Sequence, residues 1–160
     1  MKVGLVSPPW YAVPPTGYGG IELIVSLLAE GLADRGIDVT LFATGDSRTS
    51  AELEYVYETA PSERIGESIW ELDHVLLALE QAEGLDVIHD HSGPLGLALL
   101  GSAATVVHTV HGPLDERMGE LYGRICDRHD SVWLTSLSLA QRGSHAELPW
   151  LANVPNAIDL

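Results

Sequence analysis

The sequence predicts an α/β fold: a doubly wound parallel sheet between two layers of helices, three αβα layers in a single domain. Three observations predict it. Short apolar runs recur along the chain, each of strand length. Between them lie stretches with apolar residues at three- and four-residue steps, the spacing of one helix face. Such alternation closes into a parallel sheet with helices on both sides. Finally, the notable polar residues, Gly19, Gly20, Asp46, His91, His111 and Ser136, all fall just after strand-like runs. In a sheet of this kind the ligand crevice lies at the carboxyl ends of the strands, so these residues share one site.

Val3 to Val6 reads as a buried parallel strand. A Gly/Pro-rich loop follows, with Trp10 and Tyr11 near its start and Pro14-Pro15-Thr16-Gly17-Tyr18-Gly19-Gly20 at its end. The first helix runs from about Ile21 to Arg35, with Ile21, Ile24, Val25, Leu28 and Leu32 on one face, and Gly36 ends it. Val39–Ala43 is a second buried strand, and Thr44-Gly45-Asp46-Ser47 turns at its end. Glu54–Tyr57 alternates as a short edge strand would. Pro61 and Ser62 open a helix whose inward residues are Ile65, Ile69, Leu72, Leu76 and Leu79, and Gly84 closes it. Val87–His89 is a strand that runs into Asp90-His91-Ser92-Gly93-Pro94, and Leu95–Leu100 is a short helix. Thr105–Val110 is a strand ending at His111-Gly112-Pro113. Asp115 to Arg128 is helical, with Met118, Leu121, Tyr122 and Ile125 inward and Glu120 paired to Arg124 across one turn. Val132–Thr135 is a strand, Leu139–Arg142 a helical turn, and Leu151–Val154 a last short strand. There is no repeat and no internal linker.

A chain of 160 residues is one domain with room for a true core. The net charge is −15 and Lys2 is the only lysine. Nucleic acids and anionic membranes both require a basic footprint, so neither is an expected partner. Between Gly45 and Asp86 stand eleven acids against Arg48 and Arg64, which reads as a solvated face. The one cysteine, Cys126, leaves no internal disulfide and suits a reducing compartment. It reads as a small core residue rather than a nucleophile. The chain begins on a strand with no signal-peptide pattern, and Leu95–Val110 is too short and too polar to span a bilayer. Together these predict a cytoplasmic location.

The strand–loop–helix unit at residues 3–35 is the seat for a ligand. Glycines let the backbone come close, and a helix start offers free N–H groups and a partial positive charge. A plain βα turn that needs glycine is the alternative. The loop lacks G-x-G-x-x-G and the second strand lacks an acid at its tip, against nicotinamide binding; no G-x-x-x-x-G-K-[ST] occurs. His89, Asp90, His91, His108 and His111 invite a metal reading. Alternation along a strand, however, sends His89 and His91 one way and Asp90 the other, and His108 sits mid-strand as a packed core histidine. A G-x-S-x-G elbow is absent.

The ordered set of motifs resembles the N-terminal domain of GT-B fold glycosyltransferases of family 4. The matching stretches are Pro14-Pro15-Thr16-Gly17-Tyr18-Gly19-Gly20-Ile21-Glu22, Asp38–Ala43 with Gly45-Asp46-Ser47, and Asp86-Val87-Ile88-His89-Asp90-His91. They continue with Thr109-Val110-His111-Gly112, Ser138–Arg142 and Val154-Pro155-Asn156-Ala157-Ile158-Asp159, where Ala157 replaces the usual family glycine. The resemblance covers essentially the whole chain. It implies a Rossmann-like domain, the N-terminal half of a GT-B architecture, over residues 1–154. Residues 155–160 would then begin the linker to a C-terminal nucleotide-sugar domain that these 160 residues lack.

What the resemblance further implies is an enzyme that retains the anomeric configuration of a hexosyl donor, by front-face attack assisted by the leaving phosphate. No dedicated protein base, cofactor or metal is then needed, and no paired-carboxylate site or D-x-D stands out in the sequence. By position, Gly19 and Gly20 would touch the donor phosphates, and His111 would face the donor sugar as the catalytic histidine. Glu22, Asp90, His91, Ser138 and Asn156 would lie on the acceptor side. Plainer readings stand beside these: His111 as a bond to its own loop, Asp90 and His91 as surface loop residues, Glu22 as a first-turn acid, Ser138 and Gln141 as helix-start residues; Asn156 belongs to the loop entering the linker. Departure of a diphosphate calls for positive charge, which this chain does not place in its loop or at its other strand tips. The expectation is therefore an acceptor-binding domain, inactive by itself, that takes a nucleotide sugar and a soluble acceptor. A free-standing Rossmann-like binding or interaction domain without catalysis is the alternative. The oligomeric state is not legible in the sequence.

Overall fold

A computed structural model describes residues 1–156. Seven strands form one sheet: β1 Lys2–Val6, β2 Asp38–Ala43, β3 Glu52–Tyr55, β4 Val87–Asp90, β5 Val106–Val110, β6 Val132–Ser136 and β7 Trp150–Asn153. Their spatial order is β3-β2-β1-β4-β5-β6-β7 and every pairing is parallel. The helices are α1 Gly20–Ala33, α2 Ser68–Glu80, α3 Pro94–Leu100, α4 Glu116–Cys126 and α5 Leu139–Arg142. This is the doubly wound Rossmann-like sheet expected.

The period-two geometry of strands divides the apolar residues between two faces. Val3 and Leu5 of β1 join Val25 and Ala29 of α1, with Val39 and Leu41 of β2, in one core. Val6 and Phe42, the next residues along β1 and β2, join Val75, Leu97, Ile88, Val106 and Tyr122 in the other, under α2, α3 and α4. One helix layer covers each face, which gives three layers. Among the described residues no helix is long and apolar enough to cross a membrane.

The elements lie where the sequence puts them, with three corrections. The edge strand β3 starts at Glu52, two residues before the expected Glu54. The helix expected from Pro61 begins only at Ser68, after a single 3₁₀ turn at Ser62–Arg64. Gly66 separates them with φ +87°, a left-handed conformation that no helix continues through. This break also rotates the buried face. The inward residues of α2 are His74, Val75 and Ala78, whereas Ile65, Ile69 and Leu76 are exposed, Ile69 by 64%. Lastly, Glu120 and Arg124 do not pair. Among the described residues the only arginine–carboxylate contact is Arg64–Glu67 at 3.4 Å.

Candidate active site

Successive strands step outward from β1 in one direction as far as β3, and from β4 in the other as far as β7. The crevice at such a reversal receives ligands in open α/β sheets. The loop after β1 and the histidines after β4 and β5 border it.

The loop is held from below. Ser47 Oγ accepts the buried Val13 N–H at 2.9 Å, and Ser62 donates its hydroxyl to the Trp10 carbonyl at 2.6 Å. At its end Gly19 is buried with φ +144°, and a Cβ there would stand 2.7 Å from Cβ of Pro15. Gly19 is thus needed both for its conformation and for the close pass of the proline. Its carbonyl accepts the first helical bond, from Leu23 N at 3.0 Å, which leaves the preceding N–H groups of α1 unpartnered in the helix. Gly20 is exposed, with nothing within 4 Å of where a side chain would begin. Backbone can be approached there. Glu22, only 4% exposed, turns back toward this helix start: its Oε2 would lie 3.1 Å from a Cβ at Gly19. Burial pushes its carboxyl above the ordinary range, while its own backbone N–H acts in the opposite sense. Gly19→Ala is expected to displace the loop and to cost about 1–3 kcal/mol, the range for forced backbone strain. A urea midpoint equal to that of the parent chain would refute the close-pass account.

Gly20, Glu22, His111 and Asn156 meet in a cleft of about 440 Å³, with Trp10, Tyr11 and Tyr18 also in its wall. Two of these aromatics, Tyr11 and Tyr18, stand edge to face with ring centroids 5.7 Å apart, and Tyr18 is 82% exposed. Flat faces of this kind suit the apolar side of a sugar ring. Sequence reasoning gave the three aromatics no role; their crowding into a Pro/Gly-rich loop was the available signal. Among the described residues no lysine or arginine lines the cleft. Other cavities of similar size, about 530 Å³ beside α2 and about 580 Å³ beside α4, share no lining residue with it.

His111 enters the cleft from the end of β5. Burial first, then the neighbouring histidines, lower its pKa to about 4, so the ring is neutral at pH 7. Its loop is clamped from α5. Gln141 donates from Nε2 to the carbonyls of Val110, at 2.7 Å, and Gly112, at 2.8 Å, and its Oε1 accepts Leu137 N–H. Ser138 is the cap of α5, its hydroxyl accepting Gln141 N–H at 3.1 Å. These two residues shape the site from behind.

The expected alternation along β4 separates its polar side chains. His89 and His91 stand on one face with ring centroids 4.2 Å apart. His91 is 2% exposed and lies behind His111, its Nδ1 2.9 Å from Nε2 of His111. Asp90 faces the other core and is wholly buried. Its carboxylate accepts from Nδ1 of His108 at 2.6 Å and from the Ser92 N–H and hydroxyl at 3.0 and 2.7 Å. His108 Nε2 lies 3.0 Å from the Tyr122 hydroxyl, whose pKa burial raises. The structure therefore places Asp90, His91 and Ser138 outside the cleft wall where acceptor-side residues were expected. Alternation and capping both turn them toward protein partners. Among the described residues no group of three or more His, Cys, Asp or Glu could hold a metal ion.

Residues 18–160 match Glycosyltransferase Family 4. No curated protein sequence matches the chain. Among solved structures it is similar to AviGT4, a glycosyltransferase involved in avilamycin A biosynthesis, with 26% identity and a TM-score of 0.60. That likeness covers 99% of this chain but 43% of AviGT4, so the chain spans less than half the length of its solved relative. The family match starts inside the glycine loop and runs through every strand after β1, and on that ground the chain belongs to glycosyltransferase family 4.

Proposed function

We propose that this glycosyltransferase domain is the acceptor-side half of a retaining, nucleotide-sugar-dependent enzyme, and that it is inactive without a donor-binding domain. One observation carries the reading. The cleft at the carboxyl ends of β1 and β5 offers a helix start, a neutral histidine, a buried carboxyl group and aromatic faces, but no cation among its lining residues. It can hold a polyhydroxylated ring. It cannot by itself neutralise a departing diphosphate, which needs positive charge.

In this reading residues 1–154 form the domain and 155–160 lead into the linker, of which 157–160 lie outside the described residues. An acceptor hydroxyl oxygen bonds to the anomeric carbon of the donor as the bond from that carbon to the diphosphate breaks. The hydroxyl proton passes to the leaving phosphate oxygen. His111 binds the donor sugar, the N–H groups at Gly19 and Gly20 meet the diphosphate, and Glu22 and Asn156 face the acceptor. The acceptor is soluble, the reaction needs no metal or cofactor, and the enzyme works in the cytoplasm. The small share of AviGT4 that the chain covers fits a partner domain beyond it.

The test is to incubate the chain with a panel of nucleotide sugars and measure nucleoside diphosphate. No turnover, together with saturable binding of a sugar or polyol that perturbs the Trp10 and His111 resonances, is expected. Turnover by the chain alone overturns the half-enzyme account, and absence of any sugar binding favours a non-catalytic interaction domain. In a protein carrying both domains, His111→Ala is expected to lower kcat by about 100-fold, the scale for losing one preorganised polar contact. An unchanged kcat removes His111 from the reaction.

A further inference from the structure

We infer that His91 is a positioning residue: it donates Nδ1–H to Nε2 of His111 and so fixes His111 as the Nδ1–H tautomer, with an N–H donor turned to the cleft. The two nitrogens are 2.9 Å apart, so one carries the proton and the other accepts it. Which one donates follows from the far side of the His91 ring. Nε2 of His91 is enclosed and has no hydrogen-bond partner. Were His111 the donor, the neutral His91 ring would have to carry its proton on Nε2, as a buried N–H with no acceptor. Orphaned buried N–H groups are rare and carry a full desolvation cost. With His91 as the donor, Nε2 is only a bare lone pair.

Neutrality of both rings rests on their surroundings. His91 is 2% exposed and its ring lies 4.2 Å from that of His89, tilted by 38°; His89 is itself tied through Nε2 to the Thr109 hydroxyl at 2.8 Å. The opposite nitrogen of His111 differs from that of His91. Nδ1 of His111 is not among the enclosed, unpartnered atoms and has no hydrogen-bond partner among the described residues. The ring that carries it lines the cleft. The ligand atom it suits is an oxygen lone pair, from a hydroxyl or a phosphate. Identifying that oxygen with the donor rests on the transferase reading, but the tautomer does not.

Long-range ¹H–¹⁵N spectra of the chain at pH 7.5, without any sugar, report protonated and bare ring nitrogens separately. The expected result is a protonated Nδ1 and a bare Nε2 on both His91 and His111. His91→Asn, whose amide N–H replaces the donor, keeps the His111 pattern. His91→Leu collapses the separation of the two His111 nitrogens toward their mean as the tautomers interchange. A merely structural role for His91 would leave that separation unmoved. A wild-type His111 protonated on Nε2 overturns the inference, as does an undisturbed His111 in a folded His91→Leu chain. If His91→Leu does not fold, the wild-type and His91→Asn spectra decide alone. A chain that binds no nucleotide sugar can still show this tautomer, and a wrong tautomer leaves the transferase reading standing, so the two failures are distinguishable.

Discussion

Between pH 7 and pH 5 the chain is expected to lose most of its stability and to unfold cooperatively, above the range in which ordinary carboxylates titrate. The cause is a set of histidines buried in the neutral form. Burial lowers His74, His89 and His111 from 6.5 to about 4, and His91 well below its ordinary value. For a histidine whose folded pKa is depressed, the unfolded chain takes the proton first. Stability is complete above 6.5 and is lost as pH falls from 6.5 toward 4. Each such group contributes up to about 1.4 kcal/mol per pH unit, so four together reach roughly 5 kcal/mol per unit at the steepest point. A domain's whole stability is about 5–15 kcal/mol. Glu22 and Glu71 act in the opposite sense, since burial raises both and their protonation relieves a cost. They soften the fall without reversing it. Urea midpoints followed by circular dichroism should be flat from pH 8 to 7 and drop steeply below 6.5. A midpoint unchanged down to pH 5 would mean that the rings are not held neutral.

Asp90→Ala is expected to cost about 3–5 kcal/mol, because it leaves several hydrogen-bond donors without an acceptor at about 1–3 kcal/mol each. The substitution leaves the buried His108 Nδ1 and the partly buried Ser92 N–H and hydroxyl without their acceptor. His108 in turn lies within hydrogen-bond distance of the Tyr122 hydroxyl, so the loss spreads from β4 to α4. The measurement is a double-mutant cycle. Asp90→Ala/His108→Leu should be less unstable than the sum of its two single changes by 1 kcal/mol or more, as coupled neighbours are. Strict additivity would show that the two side chains do not depend on each other.

How far this architecture could be read from the sequence depends on what each residue answers to. Strand runs such as Val39–Ala43, and the face of α1, answer to burial alone, and periodicity finds them. The face of α2 does not, because its inward positions carry His74, and Glu71 lies near the buried Asp90. Counting apolar residues at helical steps therefore selected Ile65, Ile69 and Leu76, which face solvent. At the site, strand alternation was enough to separate Asp90 from His89 and His91. The contacts Asp90–His108 and His91–His111 were not legible, because they depend on the β4–β5 register that sets Asp90 opposite His108. The gathering of Gly20, Glu22, His111 and Asn156 was legible in outline, since each follows a strand in a parallel sheet. Gln141 was visible only as a helix-start residue, because its two carbonyl partners lie about thirty residues earlier in the chain.

The order of the sheet also sets how long different amides keep their hydrogens. β2, β1, β4, β5 and β6 lie inside the sheet with a ladder on each side, whereas β3 and β7 are edges with one. Freeing an inner strand requires two ladders to part, so the amides of β1, β4 and β5, the strands farthest from both edges, should exchange slowest, and those of β3 and β7 among the fastest of the strands. The glycine loop springs from β1 and the paired histidines from β4 and β5, that is, from the slow part of the sheet. Loop residues such as Gly20 and Tyr18 can thus rearrange around a ligand many times while the strands that carry them stay closed. Adaptation in the cleft and opening of the sheet belong to separate timescales.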